Sequence, residues 1–249
     1  MGFKSSMVTV SNPSVAISER DLLDKLGCTD FEWVEDTTLE ECMYPGDKSI
    51  NIGYYNNCII ICDDYQFSEE LEAAATIETA AGYEHTLSTL FPGSEILTTS
   101  CHSGVNFHLY SMVKDGKRIR FKQISSESSL REYGRHLQEE DEVYKLSKVV
   151  DGKRLFTSTY KEEEEYEYEE DQMMEAFTFG VAKRHLGVSL DNEESDALTF
   201  NTPFKKYKKV TRATTTPRKQ AVATSATSPT APATAPSSWL TRLRRKLGI

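Results

Sequence analysis

An α+β domain with a mainly antiparallel, hairpin-rich sheet and about four helices, followed by a disordered tail, is the expectation for this 249-residue chain. Three observations carry it. Short apolar stretches alternate with polar residues and are separated by turn-forming pairs. A few longer stretches repeat apolar residues at helical spacing between capping residues. Large apolar residues then nearly vanish from Thr211 to Ser238, where Thr, Ala, Ser and Pro dominate.

Met7–Val10 reads as a first short strand. Ser18 can cap a helix with Glu19 in its first turn, Leu22, Leu23 and Leu26 on one face, and Gly27 where the C-terminus favours left-handed geometry. Phe31–Val34 reads as another strand. Residues 49–64 form the clearest hairpin: Ile50, Ile52 and Tyr54 alternate with polar or small residues, Asn56-Asn57 makes the turn, and Cys58–Cys62 returns as a continuous apolar run. Such a run implies cover on both faces and a central position in the sheet. Ser68 is a candidate cap for a helix carrying Leu71, Ala74, Ile77 and Ala81 inward. A further turn or two runs to Leu90, before Pro92-Gly93.

Glu95–Cys101, Val105–Val113 and Lys117–Ile124 read as a three-strand meander, with Asp115-Gly116 at its second turn. A second Asp-Gly hairpin is expected at Asp151-Gly152, and between the two Ser129–Glu140 reads as a helix weakened by Gly134. The last helix starts at Glu169, Glu170 and Asp171 and ends at Lys183, Arg184 and His185 before Gly187, the charge order that the helix dipole favours. Met173, Met174, Phe177 and Val181 fall on one arc of it; Phe179, Ala182 and Leu186 fall on another, so contact on two sides is expected. Ala197–Phe200 reads as an edge strand.

These signals divide the chain into an acidic α+β domain (1–204), a basic and then Thr/Ala/Pro/Ser-rich linker (205–238) and a short cationic amphipathic helix (239–249). Residues 205–249 hold eleven cations and no acid. They therefore carry +11, which leaves −21 on residues 1–204 of a chain whose net charge is −10. The linker cannot bury enough apolar surface to offset ordering. As a coil its roughly 28 residues span about 30 Å. In the last segment Trp239, Leu240, Leu243 and Leu247 share one helical face, with Arg242, Arg244, Arg245 and Lys246 around the remainder. Eleven residues are too few for a stable isolated helix, so order is expected on contact with an anionic membrane surface or a groove on a partner protein.

A second candidate binding feature is the acidic run Glu162, Glu163, Glu164, Glu165, Glu167 and Glu169, interleaved with tyrosines. It reads first as a solvated stretch leading into a helix, and otherwise as a docking strip for a basic partner, this chain's own tail included. Nucleic acid is disfavoured as a partner by the acidic domain and by Trp239 being the only large aromatic residue past Tyr207.

Catalytic and cofactor signals are weak. The sequence contains no Walker A, G-x-G-x-x-G, H-E-x-x-H, G-x-S-x-G or paired C-x-x-C pattern, so no catalytic residue, cofactor or metal ligand is expected. His102 and His108 can approach across the meander with Cys101 beside them, but Cys101 and His102 point to opposite faces of a strand. Cys58 and Cys62 share a face and read as buried core thiols. Five widely spaced cysteines and no secretory signal point to a reducing, cytoplasmic setting, with a peripheral place at the inner membrane face if the tail binds lipid. Met1–Ser6 matches the loose myristoylation pattern, against which the bulk of Phe3 counts. The favoured reading is a non-enzymatic binding or adaptor protein. The alternatives are an enzyme with a scattered, motif-free active site and weak nucleic-acid binding through the tail.

Overall fold

The structure, a computed structural model, describes residues 3–74, 76–125, 128–160 and 164–210. Twelve strands and seven α-helices lie among them. The elements run β1 (Lys4–Ser11), α1 (Glu19–Lys25), β2 (Phe31–Thr38), α2 (Leu39–Cys42), β3 (Ile50–Tyr55), β4 (Cys58–Asp63), α3 (Gln66–Ala73) and α4 (Gly82–Leu90). The meander comes next as β5 (Glu95–His102), β6 (Phe107–Lys114) and β7 (Lys117–Ser125), then β8 (Ser128–Gly134) and α5 (Gln138–Tyr144). Last come β9 (Ser147–Val150), β10 (Lys153–Tyr160), β11 (Glu164–Glu169), α6 (Met174–Leu186), α7 (Asp196–Asn201) and β12 (Pro203–Lys209).

Nine strands form one sheet in the order β2-β12-β3-β4-β1-β5-β6-β7-β8, with every pair antiparallel, and β11-β10-β9 form a second, three-stranded sheet. Local turn chemistry sets the hairpins. Asn56-Asn57, Asp115-Gly116 and Asp151-Gly152 all have positive φ at both residues, the mirror-image turn whose twist matches the strands it joins. The continuous run β4 sits fourth in the large sheet, buried throughout, so Cys58 and Cys62 are core thiols.

Both faces of the large sheet are covered, as β5 shows residue by residue. Leu97 packs with Val181 and Phe177 of α6, while its neighbour Thr98 meets the hydroxyl of Tyr83 on α4 at 2.8 Å. The two apolar arcs of α6 serve two clusters. Met174, Phe177 and Val181 pack with Leu97, Tyr110 and Phe156. Phe179, Ala182 and Leu186 pack with Met7, Ile60, Leu39, Leu198 and Phe204. Acids precede this helix, Lys183, Arg184 and His185 close it, and Gly187 takes the left-handed position at φ +77°. Ser18 caps α1 by accepting from the Asp21 amide at 3.1 Å.

Six expectations change. The helix expected to carry Leu71, Ala74, Ile77 and Ala81 inward stops at Ala73, where Ala74 turns extended, and α4 starts separately at Gly82. Ser129–Glu140 is a strand and then a helix, because Gly134 ends β8 at φ +87°, where a Cβ would lie 2.0 Å from the Ile119 carbonyl oxygen. Ala197–Phe200 is helical, within α7. Ser68 lies inside α3 and is buried. The cap is supplied from β4, where Asp63 accepts from the Phe67 amide at 3.0 Å. The acidic run expected to be a solvated stretch carries β11, hydrogen-bonded to β10. The ordered chain also passes residue 204. Pro203–Lys209 is inserted between β2 and β3, with Phe204 seated over Gly53, where a Cβ would come within 2.7 Å of its ring. The chain divides after Lys209, with Met1–Lys209 as one unit. Seven of the eleven cations follow Lys209, which leaves −17 on residues 1–209 of the overall −10.

Candidate functional site

The expected binding helix, Trp239, Leu240, Arg242, Leu243, Arg244, Arg245, Lys246 and Leu247, lies outside the described residues, as do Glu162 and Glu163. Glu164 and Glu165 belong to β11 and pair through the backbone with Tyr160 and Thr159. Glu167 and Glu169 turn to cations of their own sheet: Lys148 at 2.7 Å and Lys153 at 3.3 Å. A shallow cleft of about 420 Å3 lies beside them, lined by Ile124, Lys153, Arg154 and Glu169–Asp171 among others. Its charges are mixed and largely matched, which favours neither an anionic nor a cationic ligand.

Strand β7 contains a row of buried cations that the sequence alone does not reveal. Arg118 pairs with Glu84 of α4, both fully buried. Arg120 reaches Glu140 of α5 at 2.6 Å, and Glu140 also accepts from the Tyr110 hydroxyl and the Leu137 amide. Lys122 meets Glu170 at 2.6 Å and stands 3.6 Å from the centre of the Phe177 ring. Each cation fastens a different helical segment to the sheet. Their charges are consumed in the fold and are not presented to a ligand.

Among the described residues one cluster remains with unspent chemistry. In the β5–β6 register His108 lies directly opposite Cys101, and Glu175 reaches the pair from the first turn of α6. One donor atom from each residue lies within 4.8 Å of the other two. Cys101 and His108 are buried; Glu175 is half-buried. Among the described residues His108 Nδ1 has no hydrogen-bond partner, and the thiol has only long contacts, to Ser103 Oγ at 3.6 Å and to the Phe3 carbonyl at 3.9 Å. His102 faces the other way and stacks on Tyr65 at 6.5 Å. The expectation that Cys101 and His102 point apart therefore holds, and the histidine across the strand, not the neighbouring one, joins the cysteine. Glu175 is far away in sequence, and no local signal links it to them.

Burial, then the nearby Glu175 carboxylate, pushes the Cys101 thiol up to about 12. Burial, then the His102 ring, pulls His108 down to about 4. At neutral pH the pair is thus thiol and neutral imidazole. A cysteine nucleophile needs thiolate, so the cluster as it stands is not an activated nucleophile.

The fold and this cluster together define an acidic α+β domain with an enclosed Cys–His–Glu set. Comparison of the chain with family models, with curated proteins and with solved structures finds no match.

Proposed function

We propose that this is a non-enzymatic binding or adaptor protein in which residues 1–209 form the folded body and the C-terminal segment Trp239–Ile249 is the recognition element. The observation that carries the reading is the charge division: seven cations and no acid after Lys209, against −17 on residues 1–209. Two features of the body support it. Its buried cations are committed to ion pairs that hold helices in place. Its Cys–His pair rests in the unreactive protonation state. Folded as a helix on contact, Trp239, Leu240, Leu243 and Leu247 would share one apolar face, and Arg242, Arg244, Arg245 and Lys246 suit an anionic leaflet, where each contributes about 1 kcal/mol. The preferred surface is therefore an anionic membrane, and a groove on a partner protein is the second reading.

Sedimentation with vesicles containing phosphatidylserine tests this. The full chain should co-sediment weakly and lose binding in high salt, while a chain ending at Lys209 should stay in solution. Equal behaviour of the two would overturn the membrane assignment, and tail-dependent capture of one protein partner would move it to the groove.

A further inference from the structure

We propose that Cys101, His108 and Glu175 form a binding site for one transition-metal ion of the zinc class. The three donors come from three elements, β5, β6 and α6, and converge within 4.8 Å. Thiolate, imidazole and carboxylate are the donor types that zinc accepts, at about 2.0–2.3 Å each. An ion at those distances holds its donors roughly 3.5 Å apart, so modest side-chain rotation closes the set. The softness of the sulfur and the nitrogen donor count against calcium or magnesium, which take oxygen.

Among the described residues the Nδ1 of His108 has no competing hydrogen bond, which leaves a ring nitrogen available to coordinate. The thiol must give up its proton: Cys101–SH plus M2+ yields the Cys101 thiolate–M2+ bond and one H+ to solvent, with no change of oxidation state. Removing that proton within the core costs affinity, so binding should strengthen about tenfold per pH unit near neutrality. Three protein ligands leave a fourth position open to water or a small donor on the half-buried Glu175 side. A bound ion would lock the start of α6 to the β5–β6 hairpin.

The probe is Co2+ alone, titrated into chelator-treated full-length protein. One equivalent should produce the near-ultraviolet thiolate-to-cobalt absorption and release one proton, and Zn2+ should abolish the band. C101S and H108Q should remove it, and E175Q should weaken Co2+ at least about tenfold. C62S is the control, because Cys42 and Cys62 are neighbours in the core and offer the competing thiol pair. It should leave the band unchanged. Circular dichroism of each variant establishes that it is folded, and the half-buried position of Glu175 makes E175Q the variant least disturbing to the core. No band in the wild type, a band that survives in C101S, or full affinity in E175Q would overturn the site.

Discussion

Two strands of this protein are built on cations, and they behave in opposite ways. β7 places Arg118, Arg120 and Lys122 in the interior, each against a carboxylate from a helical segment. β12 places Lys205, Lys208 and Lys209 at the surface and Lys206 half-buried, against Glu19, Asp47 and Asp30 at 2.8–3.1 Å. The β7 pairs are shorter, at 2.5–2.6 Å, and they are shielded from solvent. In β7 water cannot take over from a lost partner, so removing one member strands a charge. In β12 water replaces the partner at once. The backbone of β12 still matters, because it fills the gap between β2 and β3. The lysines of β12 contribute mainly as links in a hydrogen-bonded ladder, the cations of β7 mainly as charges.

The largest expected effect comes from this contrast. Glu140→Ala deprives Arg120, the Tyr110 hydroxyl and the Leu137 amide of one shared acceptor, and should cost about 3–5 kcal/mol in denaturant unfolding. Replacing the pair together, as Arg120→Met with Glu140→Leu, should recover much of that loss. A cost below about 1 kcal/mol for Glu140→Ala would put the β7 pairs in the same class as surface pairs.

A somewhat smaller effect concerns protons. The fold favours the neutral His108 imidazole, so its contribution is complete above the ordinary value of 6.5 and is lost as pH falls through about 4. The difference corresponds to about 3 kcal/mol. Asp63 acts in the opposite sense. Burial holds it up near 6, so its contribution is present in acid and is lost as pH rises through that value. The informative quantity is therefore wild type minus His108→Gln, measured with chelator present. Wild type should lose stability relative to the variant between pH 6.5 and 4, and parallel curves would show that His108 is not held neutral by the core.

The smallest effect is expected at the surface. Lys209→Gln removes the 2.9 Å pair with Asp30, yet both partners are exposed, and the unfolding midpoint should not move beyond error. A clear drop would mean that the β12 charges, and not only its backbone, hold the sheet.

Much of the fold was legible because its signals are local. Asn56-Asn57 and both Asp-Gly pairs need positive φ and state it in their own residues. The two arcs of α6 are written in thirteen consecutive positions. The features that escaped depend on partners distant in sequence. Lys-Lys-Tyr-Lys-Lys after Phe204 reads as the start of a tail until Glu19, Asp30 and Asp47 are brought beside it. The β7 run Arg-Ile-Arg-Phe-Lys resembles an exposed strand until Glu84, Glu140 and Glu170 arrive from three helical segments. For the Cys–His–Glu cluster, half was within reach: a hairpin brings His108 across from Cys101, but only α6 supplies Glu175.

As proposed, the folded body ends at Lys209 and the segment from Val210 to Ile249 serves recognition rather than folding. Denaturant unfolding of the full chain, of residues 1–209 and of residues 1–204 tests it most directly. Coincident midpoints are expected for the first two. A large fall is expected for the third, which lacks five of the seven residues of β12 and their pairing with β2 and β3. Coincidence of all three, or a fall already at 1–209, would contradict the claim.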